Sequence, residues 1–225
     1  VLNRYNKSMI HLHTRSCYSL LQSPFQPQQI VQAAKRNHMS HAALTDLNTM
    51  SGTMAFYHEC LKEGIEPVIG LEIETEVLNE GTGLILLAKN EAGLKNLFAL
   101  STAACTSEST KLDLETVKKH SENCIVLSAG DDDWQERLCT EGRLDALIAM
   151  LSELDQAFEE FYVSVAVNDS VTARKANQYL KSAARSLSIE TTALSRVEYE
   201  YPQDVQKLQL MRAIDLQTTI ADPKA

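Results

Sequence analysis

His11-Leu12-His13-Thr14-Arg15-Ser16-Cys17-Tyr18-Ser19-Leu20-Leu21 is the end of a short apolar segment running into a polar turn, and the residues that follow it set the fold. Residues 8–13 read as a strand. Side chains alternate along a strand with a period of two, so His11 and His13 point to one side and can reach a common metal ion. Two polar residues on a solvated strand face is the other reading of the pair taken alone. Beyond the turn, residues 27–37 read as a helix, with Pro27 in its first turn and Ile30, Val31 and Ala34 as its apolar stripe. Ala42-Ala43-Leu44-Thr45-Asp46 is then a short buried strand ending in an acid. Strand, helix and strand in this order predict a parallel β-α-β unit.

The alternation continues outward. Residues 52–63 form a helix closed by Gly64, and Glu66-Pro67-Val68-Ile69-Gly70-Leu71-Glu72-Ile73-Glu74 is a strand. Strands are predicted at 83–88, 124–128 and 161–167. Helices are predicted at 90–102, 132–138, 144–154, 171–186 and 203–216. The sum is an α/β fold with a mostly parallel sheet, and about seven strands favour a distorted (β/α)7-like barrel over an open sheet. Residues 107–111 are polar and read as a loop. Asp131-Asp132-Asp133 reads as the N-terminal cap of a helix more readily than as a ligand cluster. With no repeat and no linker-like stretch, residues 1–225 read as one domain.

Bulk composition narrows the function. The chain has 225 residues, 44% hydrophobic and 23% charged, which suits an ordinary water-exposed domain with a full core. No apolar run reaches a membrane span and no secretory leader is present, so the expected location is the cytoplasm, away from membranes. Five cysteines, Cys17, Cys60, Cys105, Cys124 and Cys139, fall without CxxC spacing and read as reduced thiols. A formal net charge of −9 argues against strong autonomous binding to DNA, which calls for a basic face.

Four candidate ligands fall at or near strand ends: His11, His13, Asp46 and Glu72. Strand ends are where chemistry gathers in barrel-like α/β folds, and imidazole with carboxylate suits Zn²⁺, Mn²⁺ or Mg²⁺. The opening motif, His11-Leu12-His13 with Tyr18-Ser19-Leu20-Leu21, resembles that of the PHP (polymerase and histidinol phosphatase) domain. The version it resembles stands at the N-terminus of bacterial DNA polymerase III alpha subunits. The likeness continues through Ala43-Leu44-Thr45-Asp46, Met50 and Gly52, then Gly64-Ile65-Glu66-Pro67-Val68-Ile69-Gly70-Leu71-Glu72. It extends through Leu84-Ile85-Leu86-Leu87-Ala88-Lys89-Asn90-Glu91 with Gly93 and Lys95-Asn96-Leu97, then Ile125-Val126-Leu127-Ser128 and Phe161-Tyr162-Val163, to Val197, Tyr199 and Asp222-Pro223.

The resemblance implies a multinuclear metal site, and the chain departs from it at most of the ligand positions. Leu47, Gly83, Gly130 and Asn168 stand where the family carries His, His, Cys and His. Arg196-Val197-Glu198 stands where it closes with Asp-Val-His. His11, His13, Asp46 and Glu72 remain as a vestigial metal set, with Arg196, Glu198 and Asn168 lining the same pocket. Glu198 offers an oxygen ligand. Arg196 brings a fixed positive charge that repels a divalent ion and is expected to pair with Asp46 or Glu72.

The expected function follows. With its ligands changed, the site has no means to activate water, so no catalytic residues are assigned. The expectation is no bound cofactor; the alternative is a single weakly held zinc, manganese or magnesium ion. The resemblance implies a non-enzymatic N-terminal module of a longer DNA polymerase, a nucleotidyltransferase of replication. Its partners would be the remainder of the alpha subunit and a proofreading exonuclease subunit, with DNA reached only through the full-length protein. The alternative is a stand-alone metal-dependent phosphoesterase of the same superfamily.

Overall fold

The computed structural model describes residues 10–107, 109, 111–129, 134–167 and 170–221. Two compact units divide the chain: Val1–Ile69 with Arg196–Ala225, and Gly70–Ser195.

In the first unit, β1 (His13–Thr14) and β2 (His41–Leu44) flank α1 (Pro27–Arg36), and α2 (Thr53–Glu63) follows. Proline at the first helical position starts α1, and the Gln26 amide N–H donates to the Gln29 side chain at 2.9 Å to complete its cap. Ile30, Val31 and Ala34 pack against Leu44, Phe56 and Cys60 as expected from their helical spacing. Gly64 closes α2 at φ 70°, the left-handed conformation that glycine adopts at no steric cost. β3 (Glu66–Val77) begins here, parallel to β2 with His41 opposite Glu66. The chain returns late to this unit as β9 (Arg196–Val197), a 3-10 turn (Pro202–Asp204) and α8 (Val205–Asp215).

The second unit carries the rest of β3 and then β4 (Glu80–Ala88), α3 (Glu91–Thr106), β5 (Leu112–Asp113), α4 (Leu114–Lys119) and β6 (Cys124–Ser128). After these come α5 (Trp134–Thr140), α6 (Leu144–Ala157), β7 (Phe161–Ala166), α7 (Val171–Leu187) and β8 (Glu190–Leu194). β4 is antiparallel to both β3 and β6, while β5 on β3, β6 on β7 and β7 on β8 are parallel. The sheet is thus mostly parallel, with one reversed strand. The reversal comes from a two-residue hairpin at Leu78 and Asn79, both at positive φ, the twist that suits a tight antiparallel turn. Leu84, Ile85 and Leu86 are consecutive and fully buried, so β4 is covered on both faces.

Several boundaries differ from the sequence reading. The first strand covers two residues, not six, and residues 8 and 9 lie outside the described set. β5, α4, β8 and β9 are too short, or too exposed as in β8, to have shown a period in the sequence. The Asp131-Asp132-Asp133 run, Gly130, Asn168 and Asp222-Pro223 all lie outside the described residues. So do parts of the 107–111 loop. Among the described residues no helix is long and apolar enough to cross a membrane.

Candidate functional site

The polar residues of the first unit assemble around β1. This strand pairs in parallel with β9, His13 opposite Arg196 and Thr14 opposite Val197. On its other side, Thr14 N–H donates to Thr45 Oγ1 at 2.9 Å and Thr45 N–H donates to the Thr14 carbonyl at 2.8 Å. His13 is fully buried. His11 precedes the strand and is half-buried, lining a cavity of about 350 Å³ with Phe25, Ile30, Met39 and His41. His13 is not among the residues lining that cavity. The strand on which the two imidazoles were to share a face therefore does not extend to His11. The residue that follows His13 at strand spacing inside the buried cluster is Arg15, whose N–H continues the ladder to the Val197 carbonyl at 3.0 Å.

Asp46 lies just past β2 and is almost wholly buried. Its Oδ1 accepts from Ser16 N–H at 2.6 Å and from the Ser19 hydroxyl at 2.6 Å, and its Oδ2 accepts from the Ser16 hydroxyl at 2.7 Å. Ser19 Oγ in turn accepts from Leu47 N–H at 3.0 Å. The carboxylate is thus the anchor of the turn that follows β1. Gly52 is needed beside it, because a Cβ there would stand 2.9 Å from both Asp46 Oδ2 and Tyr18 Cδ2. Burial pushes the Asp46 carboxyl above its ordinary range, against the pull of the Ser19 and Ser16 hydrogen bonds and the Arg15 charge.

This shift has a sign that can be tested. A carboxyl whose folded pKa is raised contributes stability that is fully present below the ordinary Asp value of about 3.9 and is lost as pH rises through the folded value. Asp46→Ala, which leaves three donors without an acceptor, is expected to cost about 2–3 kcal/mol. The gap between wild type and variant in urea unfolding should narrow as pH rises from the acid end toward neutrality. A gap that widens with pH contradicts the assignment.

Glu198 is another buried carboxylate of this unit. Its Oε1 lies 2.9 Å from Arg196 Nε and 3.6 Å from Arg15 Nη1, and its Oε2 accepts from Arg212 Nη2 on α8 at 3.0 Å. The Ser23 hydroxyl sits 2.6 Å from the Glu198 carbonyl oxygen, tying β9 to the turn after β1. Gln22 Oε1 accepts from Arg15 at 3.4 Å, and Gln22 Nε2 donates to Asp215 on α8 at 3.1 Å. The carboxylate beside the Arg196 Nε is that of Glu198. The i+2 spacing on an extended chain makes the pair local. Arg15 and Arg212 are the residues the sequence reading missed. Arg15 could have been found from its place two residues after His13.

The remaining positions fall in both units. Glu72 is buried on β3 in the second unit, opposite Ile85. Gly83 is half-buried on β4, opposite Glu74. Leu47 follows Asp46 and is half-buried. A divalent ion needs deprotonated donors with lone pairs directed at one point. Among the described residues no three His, Cys, Asp or Glu side chains stand together in that way. The Asp46 oxygens face serine donors and the Glu198 oxygens face guanidiniums.

Comparison with known proteins places the fold. A DNA polymerase III subunit alpha of Borreliella burgdorferi is 30% identical over 215 residues, covering 89% of this chain and 19% of that protein. The corresponding subunit of Bacillus subtilis is 29% identical over 227 residues, covering 97% and 20%. The chain spans about a fifth of the length of these curated relatives. Among solved structures, an amidohydrolase from Chromobacterium violaceum, determined with bound sulfate and no metal, superposes with a TM-score of 0.59 at 10% identity, covering 90% of this chain and 96% of its own. A two-domain protein from Bacteroides vulgatus containing a predicted PHP-like metal-dependent phosphoesterase gives 0.52 at 12% identity, covering 93% and 55%. The α/β fold read from the β-α alternation, of the PHP type that the resemblance implied, agrees with these solved structures. Residues 11–190 match the PHP domain family, a span that runs through both units. A match over most of the chain, together with this shared fold, places the chain in the PHP domain family.

Proposed function

We propose that this chain is the N-terminal PHP domain of a DNA polymerase III alpha-type subunit, spanning both units, and that it serves DNA replication as a scaffold and not as a hydrolase. The observation that carries the reading is the occupancy of the buried first-unit carboxylates Asp46 and Glu198. Asp46 holds a turn through Ser16 and Ser19, and Glu198 holds three arginines. Neither is placed to activate water or to offset charge on a phosphoester, which is the work of closely spaced metal ions. Polymerisation, the proofreading partner and contact with DNA belong in this reading to the longer protein in the cytoplasm. The net charge of −9 supports DNA contact through the rest of the subunit.

The test is turnover of single-stranded DNA and of a phosphomonoester with Mn²⁺, Mg²⁺ or Zn²⁺ added to the purified chain. The expected rate equals that of a His11→Ala, His13→Ala double variant prepared in parallel. Activity present in the wild type and lost in the double variant would overturn the scaffold reading in favour of a metal-dependent phosphoesterase.

A further inference from the structure

The cavity that His11 borders has no part in the scaffold reading. Every residue lining it belongs to the first unit, on α1, β1, β2, β9 and the segments next to them. Its volume of about 350 Å³ falls within the range of small-molecule sites. Protein interiors are close-packed, and voids larger than a water molecule are few. Small side chains leave this space between helix and strand: Ala33 and Ala34 on α1, Ala42 and Ala43 on β2. Ala34, Ala42 and Ala43 are buried and Ala33 is half-buried, so the cavity reaches from the core of the unit toward its surface.

The lining selects a class of guest. Phe25 and Tyr199 border the cavity, as do the imidazoles of His11 and His41. The His41 ring is anchored from outside the cavity, with its Nδ1 2.8 Å from the Ser40 hydroxyl. Such rings favour an aromatic guest through offset-stacked and edge-to-face contacts. Among the described lining residues there is no lysine or arginine to match an anion. Glu200 is the carboxylate on the wall, and Arg36 already meets its charge, with Nε donating to Oε1 at 3.1 Å. A cationic guest would have to compete with that pair. A charge moved out of water without a partner is costly, so the lining disfavours both signs.

We propose that this cavity is a binding site for an uncharged aromatic molecule of one or two rings, packed against Phe25 and Tyr199 in the space that the four alanines leave. The site uses no metal and no residue of the Asp46 or Glu198 clusters.

The test follows backbone amide shifts by NMR in the 225-residue chain at pH 8 in EDTA. Three probes share one ring system: indole is uncharged, indole-3-acetate is anionic and tryptamine is cationic. The expected result is saturable binding of indole with millimolar or tighter affinity, with shifts centred on residues 33, 34, 42 and 43. The two charged probes should bind at least about tenfold more weakly. Ala33→Leu fills the cavity from the helix and should weaken indole at least about tenfold. Leucine suits a helix and enters existing space, so the variant should keep the dispersed spectrum of a folded chain. Ala33→Met, whose unbranched side chain adapts to irregular gaps, should give the same loss and serves if leucine disturbs the fold. Lys95→Gln, a surface charge in the second unit, should change nothing. Absence of saturation up to about 10 mM indole would overturn the proposal. So would undiminished binding by a folded Ala33 variant, or a charged probe that binds as tightly as indole. These outcomes are independent of the hydrolysis assay, since a scaffold and a phosphoesterase could each carry this cavity.

Discussion

Glu198→Ala is expected to destabilise the chain by about 3–5 kcal/mol, the range for removing one partner of a buried ion pair and leaving the other charged and desolvated. Arg15, with its side chain 7% exposed, bears most of that loss, because it has little access to water once the carboxylate is gone. Arg212 is exposed enough to be rehydrated and should contribute little. Equilibrium urea unfolding at pH 7 measures the effect. Glu198→Gln keeps an acceptor of the same shape and should lose about half as much. A cost below about 1 kcal/mol for the alanine variant would mean that the three-arginine cluster is a surface arrangement with no structural weight.

Gly93→Ala is the second large effect, and it runs against intrinsic helix preference. In an exposed helix this change gains about 1 kcal/mol. Here a Cβ on Gly93 would stand 2.2 Å from the Asn123 carbonyl oxygen and 3.1 Å from its carbon. The obstacle is backbone and cannot swing away. Asn123 is fixed by three further contacts: its carbonyl accepts from Lys89 N–H at 3.0 Å, its side-chain oxygen accepts from Asn90 Nδ2 at 3.0 Å, and Asn96 Nδ2 donates to the adjacent Glu122 carbonyl at 2.9 Å. The expected cost is about 3 kcal/mol, read as a thermal midpoint lowered by roughly 6–12 °C. A midpoint that rises would show that α3 can lift from this turn.

Gly93 also illustrates what the sequence makes legible. A glycine three residues after Asn90 reads as part of a motif, and the structure supplies the reason: Asn90 caps the helix by accepting from Gly93 N–H at 3.1 Å, and the bare Cα admits Asn123. Helices with a strong apolar stripe, such as α1 and α7, and the wholly apolar β4 are legible because burial imposes a period or a continuous run. The hairpin at Leu78 and Asn79 was not read, because leucine seldom takes positive φ and Asn79 alone is a weak turn signal. β1 and β9 are two-residue strands defined by partners about 180 residues apart, so no local window contains them.

The candidate site divides in the same way. The burial of Asp46 and His13 follows from their place at the ends of buried strands, and the ion-pair character of the pocket follows from Arg196 at a family ligand position. The pairing of Arg196 with Glu198 was not read from the sequence, because both carboxylates favoured there are distant in the chain while Glu198 is two residues away. Arg212 lies on α8, whose docking beside β9 depends on tertiary structure alone.

In the proposed scaffold, buried carboxylates serve serine and arginine partners and hold no multinuclear metal centre. Titrating Zn²⁺ and Mn²⁺ into the EDTA-stripped chain by isothermal titration calorimetry addresses it directly. The account predicts no stoichiometric binding at micromolar metal; a stoichiometric isotherm that disappears in His13→Ala would contradict it.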